Sequence, residues 1–150
     1  MSNIASVLVA EDDPNDVFLL RRAFQKAGVS NPLVVFRNGQ EAIDYLSNEI
    51  RTSGLENKAG PALLFLDLKM QLMDGFDVLT WLHARPSAKK MPVVVLTSSN
   101  QEKDIAQAKQ LGADDYRVKP QQFEDLIQIV QEVRDRWLRF QEKTELRSEN

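Results

Sequence analysis

The sequence predicts an α/β fold, a doubly wound, five-stranded parallel sheet with five helices. Five short apolar runs alternate with longer amphipathic stretches along 150 residues. The runs are too uniformly apolar to alternate between core and solvent, which is the pattern of parallel strands covered on both faces. Strict strand–helix alternation is accommodated by right-handed crossovers that lay helices on both sides of one sheet. The length suits one domain with a substantial core.

The elements follow in order. The first strand is read at 4–10, IASVLVA. Asp13 and Pro14 mark the cap and first residue of a helix, which Gly28 stops. The second strand is 33–37. Asn38 with Glu41 three residues on reads as a capping box for a helix to about residue 48. The segment 48–60 reads as a long connection. The third strand is 62–67. Asp74 and Gly75 then form a turn that opens a helix over 75–85, stopped by Pro86. The fourth strand is 92–98, and its helix runs from Asn100 to Leu111 and Gly112. The fifth strand is 115–119. The last helix is expected over 122–141, with Phe123, Leu126, Ile127, Val130, Val133, Trp137 and Phe140 at helical spacing. Such a helix is about 30 Å long and outruns the layer. Trp137, Leu138 and Phe140 are therefore expected to be exposed and to form a homodimer contact. Residues 1–141 are read as one domain and 142–150 as a polar tail.

Composition excludes several chemistries. There is no cysteine, hence no disulfide, thiolate metal site or cysteine nucleophile. The single histidine, His83, rules out a histidine metal cluster and reads as a helix-surface residue. A net charge of −3 argues against nucleic-acid binding. No apolar run reaches the roughly 20 residues of a membrane span. The N-terminal residues carry no signal-peptide pattern, so a cytoplasmic location is expected.

Ligands of doubly wound sheets sit beyond the carboxyl ends of the strands, so the strand ends matter most. The first ends in Glu11, Asp12 and Asp13, the third in Asp67, the fourth in Thr97, Ser98 and Ser99, and the fifth in Lys119. Crowded carboxylates need a cation or a proton. Without histidine or cysteine the cation must be hard and oxygen-seeking, Mg²⁺ or Mn²⁺. A hydroxyl and a lysine beside it complete a clamp for a phosphoryl group. Asp67, after the most apolar strand, is the best placed carboxylate to accept that group. Asp13 is a helix N-terminal acid that favours the dipole.

VLVAEDDP, LLFLDLKMQLMDGFD, PVVVLTSS and GADDYRVKP, in this order and at these separations, resemble the receiver domain of two-component response regulators over about 4–140. The resemblance implies a flavodoxin-like receiver fold with strand order 2-1-3-4-5. It implies that Asp67 is the phosphoacceptor, with Asp12 a direct Mg²⁺ ligand, Glu11 acting through water and the Lys69 backbone carbonyl a further ligand. It gives Thr97 and Lys119 to the phosphoryl group and makes Tyr116 a rotating aromatic switch. Lys119–Pro120 matches a bond that is typically cis in the family. The implied partners are a sensor histidine kinase and a histidine phosphotransfer or downstream target protein, met through the face of helix four, strand five and helix five.

Gln71 stands where the family commonly has proline, which predicts a looser loop, and Ser98 where alanine is frequent. With only a polar tail after helix five, the chain reads as a stand-alone regulator, similar to those paired with phytochrome-type kinases. A phosphorylation-independent scaffold is the alternative. A haloacid-dehalogenase-type phosphatase would need a second aspartate two residues after Asp67, where Lys69 stands. No glycine-rich loop or P-loop supports nucleotide binding.

Overall fold

The computed structural model describes residues 5–56, 60–86 and 89–138. Five strands, β1 (Val7–Ala10), β2 (Leu33–Phe36), β3 (Leu63–Leu66), β4 (Val93–Thr97) and β5 (Asp115–Val118), alternate with five helices. These are α1 (Pro14–Lys26), α2 (Gly39–Glu56), α3 (Gly75–His83), α4 (Glu102–Gln110) and α5 (Phe123–Val133). All strand pairs are parallel, in the order β2-β1-β3-β4-β5. The predicted order is thereby borne out.

The central strands β1, β3 and β4 are buried along their whole length, and the edge strands only in part. Successive residues feed opposite faces. Leu8, Ala10, Leu64 and Leu66 pack against α2 and α3, whereas Val7, Val9, Leu63 and Phe65 pack against α1 and α5. This two-sided burial is why the strands read as unbroken apolar runs.

Local signals set the helix ends. Asp13 accepts a 2.9 Å hydrogen bond from Asn15 N–H, and Gly28 closes α1 at φ +75°. Asn38 accepts from Glu41 N–H at 2.9 Å. Glu41 reaches back to Arg37 N–H rather than to the cap itself, so the box is displaced by one residue. Asp74 and Asp77 make a full reciprocal box at α3.

Several expectations need correction. The segment 48–60 is not mainly a connection, because α2 continues to Glu56. Helix α4 begins at Glu102 rather than Asn100, since Ser99 and Gln101 form a turn there (Gln101 N–H to Ser99 Oγ, 3.3 Å). The loop after β3 is tied to the start of α2 just beyond Gln71. Gly39 and Gln40 N–H donate to the carbonyls of Met73 and Leu72 at 2.9 and 3.3 Å. These bonds hold both residues at positive φ, 70° and 48°, a conformation that costs a side-chain-bearing residue energy. Lastly, α5 does not continue straight.

After Val133 the chain makes a π-helical turn, Arg134–Leu138. Leu138 is buried and Trp137 partly buried, both against the α1–α5 core. The Arg134 guanidinium donates to the Ala27 carbonyl at the end of α1. Trp137 and Leu138, two of the three apolar side chains expected at a dimer surface, thus fold onto their own domain, where burial stabilises them without a partner. Phe140, the helix end at 141, the 142–150 tail and the first strand's start at 4 lie outside the described residues. Among the described residues no peptide bond is cis. Lys119–Pro120 is trans, the intrinsically favoured state of an X–Pro bond.

Gly75 joins fold to site. A Cβ there would lie 2.3 Å from the Asp67 carbonyl oxygen and 2.7 Å from Leu68 Cα. Gly75→Ala is expected to lower unfolding free energy by about 2 kcal/mol, read as a lower urea midpoint. An unchanged midpoint would show that the loop yields at no cost.

Candidate functional site

The sheet changes direction between β1 and β3. The chain winds from β1 outward to β2, then crosses back to β3. Register places Ala10 beside Leu66, so the next residues, Glu11 and Asp67, emerge side by side. Backbone bonds fix both: Glu11 N–H donates to Phe36 O at 2.9 Å and Asp67 N–H to Ala10 O at 3.0 Å. Asp12 completes the group. One carboxylate oxygen from each of Glu11, Asp12 and Asp67 lies within 4.8 Å of the others. Asp12 is exposed, while Glu11 and Asp67 are buried.

Lys119 arrives from the end of β5, held by its own N–H on Thr97 O at 2.7 Å. Its ammonium makes three ion pairs: Glu11 at 2.6 Å, Asp16 at 2.7 Å and Asp67 at 3.1 Å. Asp16, in the first turn of α1, is the residue that sequence reasoning missed. Acids are ordinary in a helix's first turn, and nothing local marks this one as facing a lysine 103 positions away.

The charges respond to this crowding. Burial pushes the Glu11 carboxyl up to about 7, with the Asp67 charge adding to it. Hydrogen bonds from Lys119 and Asp13 N–H oppose the rise without cancelling it. Burial alone would lower Lys119. Its hydrogen bonds to Asp16 and Glu11 and the nearby Asp67 charge outweigh burial and hold the amine above its ordinary value. The lysine is therefore charged at neutral pH.

A second group sits beside the first. Thr97 is fully buried, and its hydroxyl accepts a long 3.5 Å hydrogen bond from Ser99 N–H. The Ser99 hydroxyl donates to Asp104 of α4 at 2.6 Å. Tyr116 donates its phenol to Ser99 O at 2.9 Å, and its ring packs against the α2–α3 side of the core. The resemblance implies a ring that turns inward on phosphorylation. Here the partly buried phenol rests on Ser99 O, which gives it an acceptor. Burial also raises the phenol above its usual range, keeping it protonated. Lys69 is exposed, and its N–H donates to Asp67 Oδ1 at 3.3 Å. His83, exposed in the last turn of α3, belongs to neither group.

The donor set suits a hard divalent cation. It offers carboxylate oxygens, one of them solvent-facing, with neither nitrogen nor sulfur ligands among them. Three acids against one lysine also leave net negative charge for a cation to offset.

The model of the response regulator receiver domain matches residues 7–131. Among curated proteins, the probable methanogenesis regulatory protein FilR2 of Methanothrix harundinacea is 33% identical over 132 residues, covering 88% of this chain and 83% of that protein. Response regulator Rcp1 of Synechocystis sp. is 31% identical over 132 residues, covering 88% of each. Among solved structures, the phosphorylated cyanobacterial phytochrome response regulator RcpA matches with a TM-score of 0.76 at 33% identity, over 89% of this chain and 94% of that one. The Mn²⁺-bound form of Rcp1 matches with a TM-score of 0.73 at 30% identity, over 87% and 91%.

Glu11 must shed its proton to serve a cation. Divalent-metal affinity is therefore expected to rise about tenfold between pH 6 and pH 8, measured by titration calorimetry with proton release on binding. A pH-independent affinity would show that Glu11 is already ionised at pH 6.

Proposed function

The chain belongs to the response regulator receiver family, and we propose that it is a phosphorylatable signalling switch whose acceptor is Asp67. The observation that carries this reading is the convergence at the β1–β3 switch point: Glu11, Asp12 and Asp67 within 4.8 Å, with the Lys119 ammonium 3.1 Å from Asp67.

In this reading a sensor histidine kinase presents a phosphohistidine. An Asp67 carboxylate oxygen attacks phosphorus, an O–P bond forms, and the N–P bond to imidazole breaks. The imidazole leaves as a neutral base after taking up a proton. Asp12, Glu11 through water, Asp67 and the Lys69 carbonyl would hold Mg²⁺ or Mn²⁺ there. When bound, that cation offsets the charge that otherwise repels a phosphoryl group from three acids. Lys119 stays charged and offers its N–H groups to the phosphoryl oxygens. Thr97 turns its hydroxyl from Ser99 to the same oxygens.

Phosphorylation replaces the single carboxylate charge of Asp67 with a phosphoryl group carrying roughly two, about one net negative charge more beside Lys119 and Thr97. Their movement reaches Ser99, and through it Tyr116 on β5 and Asp104 on α4. The output is a population shift in the α4–β5–α5 face, limited by how differently the phosphoryl group contacts the two states. A target or histidine phosphotransfer protein reads that face. RcpA is a phytochrome response regulator, which makes a phytochrome-type kinase the first partner to test.

The decisive experiment is intact mass after incubation with acetyl phosphate and Mg²⁺. A gain of about 80 Da is expected for the wild-type chain, and none for Asp67→Asn or a chelated sample. No gain in the wild type, with no Mg²⁺ binding, would overturn the switch and leave a constitutive interaction scaffold.

A further inference from the structure

Lys119 has three N–H donors, and three carboxylates take them. Two of these, Glu11 and Asp67, belong to the acidic cluster that fits a cation. The third, Asp16, does not. It comes from α1 rather than from a strand end. Its side chain is 32% exposed, against 7% for Glu11 and 6% for Asp67. A cation and an ammonium cannot share the same carboxylate oxygens without repulsion. A divalent ion drawing on the same two carboxylates would weaken the hold of Lys119 on Glu11 and Asp67.

We propose that Asp16 is a positioning residue that draws the Lys119 ammonium to the α1 edge of the site, clearing Glu11 and Asp67 for a divalent cation while keeping the lysine within reach of Asp67. The proposal rests on the reading of Glu11, Asp12 and Asp67 as a metal seat. Space for the shift exists. Asp16, Glu11, Asp67 and Lys119 line a cavity of about 60 Å³ whose other walls are mostly apolar, Leu20, Phe65 and Leu126 among them. The lysine stem can re-seat there along apolar surface with its head kept on Asp16. Without Asp16 the ammonium falls back on Glu11 and Asp67, where it competes with the cation. Asp16 therefore acts on the metal through Lys119, and not merely as one more negative charge.

A double-mutant cycle on the full chain separates these effects, with Mn²⁺ as the probe and its affinity read by electron paramagnetic resonance. The variants are Asp16→Asn, Lys119→Met, the pair, and Asp16→Glu as the conservative rescue. Far-ultraviolet circular dichroism confirms that each is folded. Asp16→Asn is expected to weaken Mn²⁺ binding, by a factor at least about threefold larger with Lys119 present than in Lys119→Met. Asp16→Glu should restore most of the loss. Equal losses in both backgrounds would reduce Asp16 to a remote charge and overturn the proposal while leaving the metal seat intact. Wild-type affinity in Asp16→Asn would overturn it too. A wild-type chain that binds no Mn²⁺ would overturn the metal reading itself, and the proposal with it.

Discussion

One ammonium group makes the site possible. Glu11 and Asp67 are side by side and nearly dry because parallel pairing of β1 and β3 leaves their side chains nowhere else to go. Unpaired, two buried carboxylates would cost several kcal/mol. Lys119 offsets that cost by spreading one positive charge over Glu11, Asp67 and Asp16. Burial still leaves Glu11 raised to about 7. The free site is therefore incompletely neutralised, with three acids clustered and a single lysine serving two of them. This imbalance is what a divalent cation can offset.

The fold delivers these groups through short, rigid connections. Asp67 follows a fully buried strand, and its backbone N–H is tied to Ala10. Gly75 packs so close to its carbonyl that no side chain fits. The loop between them carries two residues at positive φ, held by the start of α2. Strain in this position is stored close to Asp67 and is fixed by neighbouring backbone rather than by proline. Ser99 plays the matching part on β4. Its backbone and hydroxyl join Thr97, Tyr116 and Asp104. A movement at the site therefore has a direct route of contacts to α4 and β5.

The first, third and fourth strands were legible because burial on both faces leaves continuous apolar runs, and the helix starts because Asp13, Asn38 and Asp74 cap locally. Glu11, Asp12, Asp67 and Lys119 were legible because parallel topology sends every strand's carboxyl end to one edge. Asp16 was not, since its partner is 103 residues away. Nor was the length of α2, whose last turns carry no strong periodic signal. The end of α5 misled for another reason. Helical spacing assumes a regular turn, and the π turn at Arg134–Leu138 breaks that assumption.

The sequence by itself determined the alternation of strands and helices, the class of the sheet and the chemistry available at its edge. Those follow from local propensity, hydrophobic period and residue type, which neighbours in the chain suffice to express. Tertiary structure alone decided which carboxylates share Lys119, that Tyr116 already rests on Ser99, and that Trp137 and Leu138 cover their own core. Each of these is a contact between distant segments, and its energy depends on distance and burial that only the folded chain creates.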